Sequence, residues 1–258
     1  MAETILTYEV DRGVATLTLN RPEKRNALNQ EILTALKEAL ERTSAEKSVR
    51  VVALRGAGPD FCSGVDLAEL ERIAGMGAEE SLADARGLGD LFVRMRNHPK
   101  PLVAVVHGHA LAGGCGLATA CDLVLARDEA VFGYSEILLG FVPALVMTIL
   151  RRKVGEGRAF ELIARGHRIE APEAERIGLV NRVFPAATFD EEVGAYLEDL
   201  ASRPAFALEL AKGLLYELDG LGFEEGIERA AHVNVEARLS EACREGVRRF
   251  LERRARKS

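Results

Sequence analysis

The chain has 258 residues, 48% of them hydrophobic, and a formal net charge of −6. That is enough apolar material for a sizeable core, as one domain or one domain plus an appendage. The acidic balance leaves no overall basic footprint for nucleic acid, and no apolar run approaches the roughly 18 residues of a membrane span.

Residues 5–10 and 14–19 alternate in polarity around Asp11-Arg12-Gly13, a hairpin pattern. Asn20-Arg21-Pro22 breaks the second strand, and Asn29 is placed to N-cap a helix with Ile32, Leu33, Leu36 and Leu40 at helical spacing. The basic cluster between them, Arg21, Lys24 and Arg25, reads on its own as a solvated loop. A buried strand at 51–55 leads into the glycine-rich turn GAGPDFCSGVDL and a helix from about Asp66 to Ile73. Past Gly75 and Gly77, which predict mobility, a longer helix over 79–96 puts Leu88, Leu91, Phe92 and Met95 on one face. Asn97-His98-Pro99-Lys100-Pro101 then stops it.

The central stretch begins with the apolar, β-branched run 102–106 and continues through glycines 108, 113, 114 and 116. Residues 117–120 are long enough only to begin a helix, and 123–126 form another apolar run. Glycines between a strand and a helix start let backbone N–H groups face a ligand oxygen, helped by the helix dipole. A dinucleotide fingerprint fits poorly, because the match at 114–119 lacks its third glycine; a Walker loop needs a lysine that is absent here. The loop near 61–66 is a second strand–turn–helix unit, so the pair suits an oxyanion hole built from two amides.

Among side chains, Glu136 stands out because Phe132, Ile137, Leu138, Leu139 and Phe141 surround it in sequence. A desolvated carboxyl has a raised pKa, which suits proton shuttling near neutral pH. His98 and His107 read as capping or surface residues, and Asp122 as the anchor of a turn. Cys62, Cys115, Cys121 and Cys243 form no C-x-x-C pair and no zinc pattern, so no metal is expected. Cys62 and Cys115 read as small hydrophobes rather than nucleophiles. Residues 1–10 contain Glu3 and no long apolar core; no secretory signal is visible, and a cytoplasmic location is expected.

Beyond residue 154 the pattern is mainly helical: 156–164, 172–177, 189–201, 205–218, 223–237 and 240–252, with a short strand ending near Pro185. A soft boundary at Arg203-Pro204 divides a core, 1–203, from a helical region, 204–258. The Arg-rich segment 248–257 follows a helix C-terminus, where positive charge is favourable.

Five collinear pieces carry a resemblance: NRPEKRNALN at 20–29, FCSGVDL at 61–67, HGHALAGGCGLATACD at 107–122, FGYSEILLGFVP at 132–143 and APEAERIGLVNRVF at 171–184. With these the chain resembles the crotonase superfamily, the enoyl-CoA hydratases and isomerases. The resemblance implies an α/β fold, a spiral of ββα units with a helical C-terminal trimerisation region, assembled as a homotrimer or a hexamer (dimer of trimers). It implies an acyl-CoA substrate and no separate cofactor, coenzyme A being part of the substrate. The oxyanion donors would be the N–H groups of Val65 and Gly113, and the catalytic acid–base Glu136. Lys24, Arg25, Ala27, Ser63, Asp66, Leu67 and Gly116 would line the substrate, with Lys24 and Arg25 approaching the CoA phosphates, where charge-assisted contacts are strong.

One departure matters. Hydratases of the family carry two glutamates, and the first would fall at position 116, where this chain has Gly116. Hydration needs a water held at C3 and a proton delivered to C2; moving a double bond needs one group to take a proton and return it. The expectation is an enoyl-CoA hydratase-like enzyme of fatty acid metabolism. Alternatives are a single-glutamate Δ3-Δ2-enoyl-CoA isomerase, or a hydratase of branched or glutaconyl-type esters in which Gly116 leaves room for a bulkier acyl group. The non-enzyme alternative is a catalytically silent acyl-CoA binder.

Overall fold

The computed structural model describes residues 4–255. The first three residues of the stretch read for a signal, and the end of the basic segment 248–257, lie outside the described residues. The hairpin forms as β1 (Leu6–Asp11) and β2 (Val14–Leu19), paired antiparallel. Then come α1 (Gln30–Ala45), β3 (Val51–Gly56), α2 (Leu67–Gly75) and α3 (Ala78–Asn97). Asn29 caps α1 as its spacing predicts, its side chain accepting from Ile32 N–H at 2.9 Å.

The central stretch supplies β4 (Leu102–Val106), β5 (His109–Leu111), α4 (Gly113–Ala120), β6 (Leu123–Arg127) and β7 (Val131–Gly133). After a short 3-10 helix at Ser135–Leu139 come α5 (Ala144–Val154), α6 (Glu156–Arg165), β8 (Arg168–Glu170), α7 (Ala171–Arg176) and β9 (Arg182–Phe184). The chain ends in α8 (Phe189–Ala201), α9 (Ala205–Glu217), α10 (Phe223–Leu239) and α11 (Glu241–Ala255).

One sheet has the order β1-β2-β3-β4-β6-β9, parallel from β2 onward; a smaller one has the order β5-β7-β8. In the middle of the chain a strand of the first sheet is followed by a short strand of the second and then a helical turn, as in β4, β5, α4 and in β6, β7 and the 3-10 helix. In the turn after β3 the second strand shrinks to a single bridge, Cys62 to Ala110. The parallel strands are apolar at nearly every position because both faces are covered. Val52, Leu54, Leu102, Ala104 and Val106 face the cluster built with Leu36, Leu91 and Leu117, whereas Val51, Ala53, Val103 and Val105 face Phe189, Val193 and Leu197 of α8.

Five elements differ from the sequence reading. The helix expected to begin at 117 begins at Gly113, because its glycines pack against the neighbouring loop: a Cβ on Gly114 would stand 2.3 Å from the Cys62 carbonyl oxygen. The unforeseen α5 follows Pro143. The three-residue strands β5, β7 and β8 are too short to show a period. No helix among the described residues is long and apolar enough to cross a membrane.

Candidate active site

Two loops converge at the start of α4. Leu28 N–H donates to the Gly64 carbonyl at 2.7 Å and Asp66 N–H to the Leu28 carbonyl at 2.9 Å. In that parallel bridge Val65, between them, directs its own N–H to the opposite side. Gly64 has φ +111, and a Cβ there would stand 3.1 Å from both Ala112 Cβ and the Leu111 carbonyl oxygen. Only glycine permits that approach.

Ala112 is a non-glycine residue at φ +46, ψ −122, held by its N–H bond to the Gly133 carbonyl at 2.7 Å. Such a conformation costs roughly 1–3 kcal/mol. It turns the chain so that Gly113 opens α4, with its N–H among the helix's first-turn donors that have no intrahelical acceptor. A Cβ on Gly113 would lie 3.5 Å from Val65 Cγ2, so the two residues expected to bear the donors are neighbours.

Glu136 lies in the first turn of the 3-10 helix after β7, half-buried. Its Oε2 is shielded from solvent and has no hydrogen-bond partner among the described residues. Burial raises its pKa above the ordinary carboxyl value, opposed by its own backbone N–H. Cys115 and Tyr134 are close enough to feel its charge. Tyr134 is fixed by a 2.5 Å hydrogen bond to Thr119 Oγ1. The surroundings differ in part from the sequence reading: Leu138, Leu139 and Phe141 are exposed and, like exposed Leu67, present apolar surface to solvent.

Gly116 is buried one helical turn past Gly113. A Cβ there would stand 2.6 Å from Val146 Cγ2 on α5 and 3.8 Å from Phe92 Cζ on α3. The room expected beside Gly116 for a bulkier acyl group is taken by the Val146 side chain, so glycine alone does not open it and Val146 must rotate for a chain to pass.

The basic loop is divided between anchoring and exposure. Arg21 Nη2 meets Asp66 Oδ2 at 2.9 Å, while Asp66 Oδ1 caps α2 at Ala68 N–H, 3.1 Å away. The capping bond leads in lowering the Asp66 pKa, with Arg21 assisting. Arg25 Nε meets the buried Asp60 at 2.6 Å, and His109 Nδ1 lies 2.6 Å from the other carboxylate oxygen. Burial pushes Asp60 up, but the Arg25 and His109 hydrogen bonds outweigh it and bring its pKa to about 2. Ser63 N–H donates to the Arg25 carbonyl at 3.0 Å, tying this loop to the one that bears Val65. Ala27 is buried and Ser63 half-buried beside them; Lys24 stays exposed.

The remaining candidates are placed elsewhere. Burial leads in bringing the His98 pKa to about 4, and His98 contacts Thr43 Oγ1 at 3.1 Å. His107 reaches the Gly58 carbonyl at 2.9 Å. Burial pushes the Cys62, Cys115 and Cys121 thiols up to about 12, which leaves them inert at neutral pH. Asp122 accepts from Leu102 N–H at 2.7 Å, and Lys212 Nζ and Tyr216 OH also hold it. The sequence reading missed Ala112, Asp60, His109 and Val146. Only the apolar residues after Pro143, with their helical spacing, carried a readable signal.

The sequence pattern of the enoyl-CoA hydratase/isomerase family matches residues 9–257. A Thermus thermophilus protein carrying the enoyl-CoA hydratase name is 45% identical, over 95% of this chain and 98% of that one. The 2,3-dehydroadipyl-CoA hydratase of Escherichia coli is 34% identical over 98% of this chain and 97% of its own. The crystal structure of an enoyl-CoA hydratase from Mycobacterium smegmatis superposes with a TM-score of 0.92 at 35% identity, covering 97% of each chain. A match of this extent in sequence and in fold makes the chain a member of the enoyl-CoA hydratase/isomerase family of the crotonase superfamily.

Proposed function

We propose that the protein hydrates a trans-2-enoyl-CoA using Glu136 as its only carboxylate. The observation that carries this reading is the buried, unpartnered Oε2 of Glu136 near the start of α4. The N–H groups of Val65 and Gly113 hold the thioester oxygen and stabilise the negative charge that gathers there as C3 is attacked. Glu136, ionised, takes a proton from water as its oxygen bonds to C3. The C2=C3 electron pair moves to form the enolate; Glu136 then returns the proton to C2. One group serves as base and then acid, and the sum is addition of one water.

Lys24 meets the CoA phosphates, while Arg25, held by Asp60, presents its half-exposed guanidinium beside it. Ala27, Ser63, Asp66 and Leu67 shape the wall between them, and Leu67 with Phe141 offers apolar surface at the mouth. Phe223, Ile227, Leu239, Phe250 and Leu251 are exposed on α10 and α11, which supports assembly into a trimer or a dimer of trimers. A cytoplasmic location fits an enzyme of acyl-CoA turnover.

A second reading is favoured by the Gly116–Val146 contact. With no room for a second carboxylate, Glu136 also suits proton transfer from C2 to C4 of a 3-enoyl-CoA. Two assays separate them. Loss of conjugated thioester absorbance with a trans-2-enoyl-CoA is the expected result; gain of it with a 3-enoyl-CoA, and no loss in the first assay, makes the enzyme an isomerase. Acyl-CoA binding with silence in both assays makes it a binder.

A further inference from the structure

A cavity of about 630 Å³ lies between α3 and α5, at the opposite end of α4 from the donor pair. That volume is in the range of small-molecule sites. Leu82, Gly89 and Phe92 of α3 and Leu145 and Ile149 of α5 wall it, and residues 119–122 form its floor. Four basic side chains line it, Arg86, Arg96, Arg152 and Lys153, against two acids, Asp122 and Asp219. Most are already committed. Arg96 and Arg152 both reach Asp219, and Lys153 Nζ donates to the Cys121 carbonyl at 2.6 Å. Arg86 has no hydrogen bond or ion pair among the described residues.

The cavity comes within reach of the chemistry at one place. Gly116 follows Gly113 by three residues, about 4.5 Å along the helix axis. The Phe92 ring, which lines the cavity, has its Cζ 3.8 Å from where a Cβ on Gly116 would stand. An acyl group whose carbonyl rests on the Gly113 N–H carries its fourth and later carbons toward Gly116. With glycine there, the nearest atoms are the Val146 side chain and the Phe92 ring, and both side chains move by rotation.

We infer that the acyl chain runs past Gly116 and Phe92 into this cavity, and that the favoured chain ends in a carboxylate, which Arg86 receives. This rests on the proposed acyl-CoA reading and adds the substrate's far end to it. The apolar walls strengthen binding with each methylene they cover. A guanidinium without a partner beside such walls offers a carboxylate a charge-assisted, bidentate contact.

The test is calorimetric binding of saturated acyl-CoA thioesters of four to ten carbons, and of the same lengths ending in a carboxylate, so that no turnover is required. Gly89→Leu narrows the cavity without touching the donor pair; a Cβ there meets only Leu145 Cδ2, at 3.7 Å. It is expected to weaken the longer chains by about tenfold or more and leave the four-carbon thioester unchanged. Arg86→Gln is expected to weaken only the carboxylate-ended thioesters, again about tenfold. A flat response to Gly89→Leu at every length overturns the route, and an equal response of both series to Arg86→Gln overturns the carboxylate. Failure of the wild type to bind any thioester overturns the acyl-CoA reading, and this inference with it.

Discussion

Arg25 Nε lies 2.6 Å from Asp60 Oδ2 and joins the basic loop to the segment that leads into Val65. The Asp60 side chain is only 4% exposed, so removing its cation leaves a buried carboxylate with less support. The folded-state pKa of about 2 lies below the ordinary value of 3.8. This stabilisation, about 2 kcal/mol, is therefore complete above pH 4 and is lost as the pH falls toward 2. Asp60→Asn is expected to flatten the acid limb of stability in that window, and Arg25→Ala to lower stability at neutral pH. Urea unfolding at a series of pH values measures both.

Glu136→Gln is expected to lower turnover by about 10²–10⁴-fold, the usual worth of a positioned acid–base group, with acyl-CoA binding kept. The raised pKa of Glu136 adds a second expectation. A carboxyl raised by folding costs stability as the pH rises from its unfolded value through its folded one, and the cost is complete above both, so the neutral amide should raise Tm at neutral pH. In the wild type, kcat/KM should fall on the acid side at a pH above the usual carboxyl range. Turnover near normal in the variant would sink the assignment.

Gly116 and Val146 are coupled by shape. Gly116→Ala places its new methyl 2.6 Å from Val146 Cγ2, an overpacking of about 1–3 kcal/mol. Val146→Ala should remove most of that penalty in the double variant, which a double-mutant cycle in urea reads directly. Gly116→Glu paired with Val146→Gly should raise hydration of a trans-2-enoyl-CoA, whereas Gly116→Glu alone should not.

Ala112 offers an inverted glycine test. An ordinary Ala→Gly change in a regular element costs about 0.5–1 kcal/mol, but the φ of +46 at Ala112 should make Ala112→Gly neutral or stabilising. A β-branched residue there should lower both stability and kcat, because it cannot hold Gly113 N–H in place. Thermal melts with steady-state kinetics decide it. A loss of stability in Ala112→Gly would show that no strain is held there.

Asp122→Ala leaves Lys212, 8% exposed and 2.8 Å from that carboxylate, as an unpaired buried cation. The expected loss is about 3–5 kcal/mol. Asp122→Asn, which keeps an acceptor for Lys212 and Tyr216, should lose less. Chemical denaturation of the two variants side by side is the measurement.

Much of this was legible from residue patterns. The long elements were plain because α1 and α3 bury regular faces, β4 is an unbroken apolar run and β3 opens with four apolar residues. The two glycine-rich loops were legible because Gly64 and Gly113 sit where a strand gives way to a helix. What was not legible depends on contacts between distant segments. Nothing in the sequence pairs Val146 with Gly116, thirty positions earlier, or Asp60 with Arg25. Ala112 at positive φ is the opposite of what its residue type suggests, and only the Gly133 carbonyl bond accounts for it.

The hold of Lys212 and Tyr216 on Asp122 has a consequence for how the protein is made. A ribosome delivers the residues of both amide loops and Glu136 well before residue 212. Until α9 has been synthesised, Asp122 lacks the cation and the phenol that fix it at the base of α4. A nascent chain ending before that helix carries both loops and Glu136 but lacks the groups that hold Asp122 at the end of α4. The anchoring of Asp122 thus waits for the last quarter of the chain to emerge.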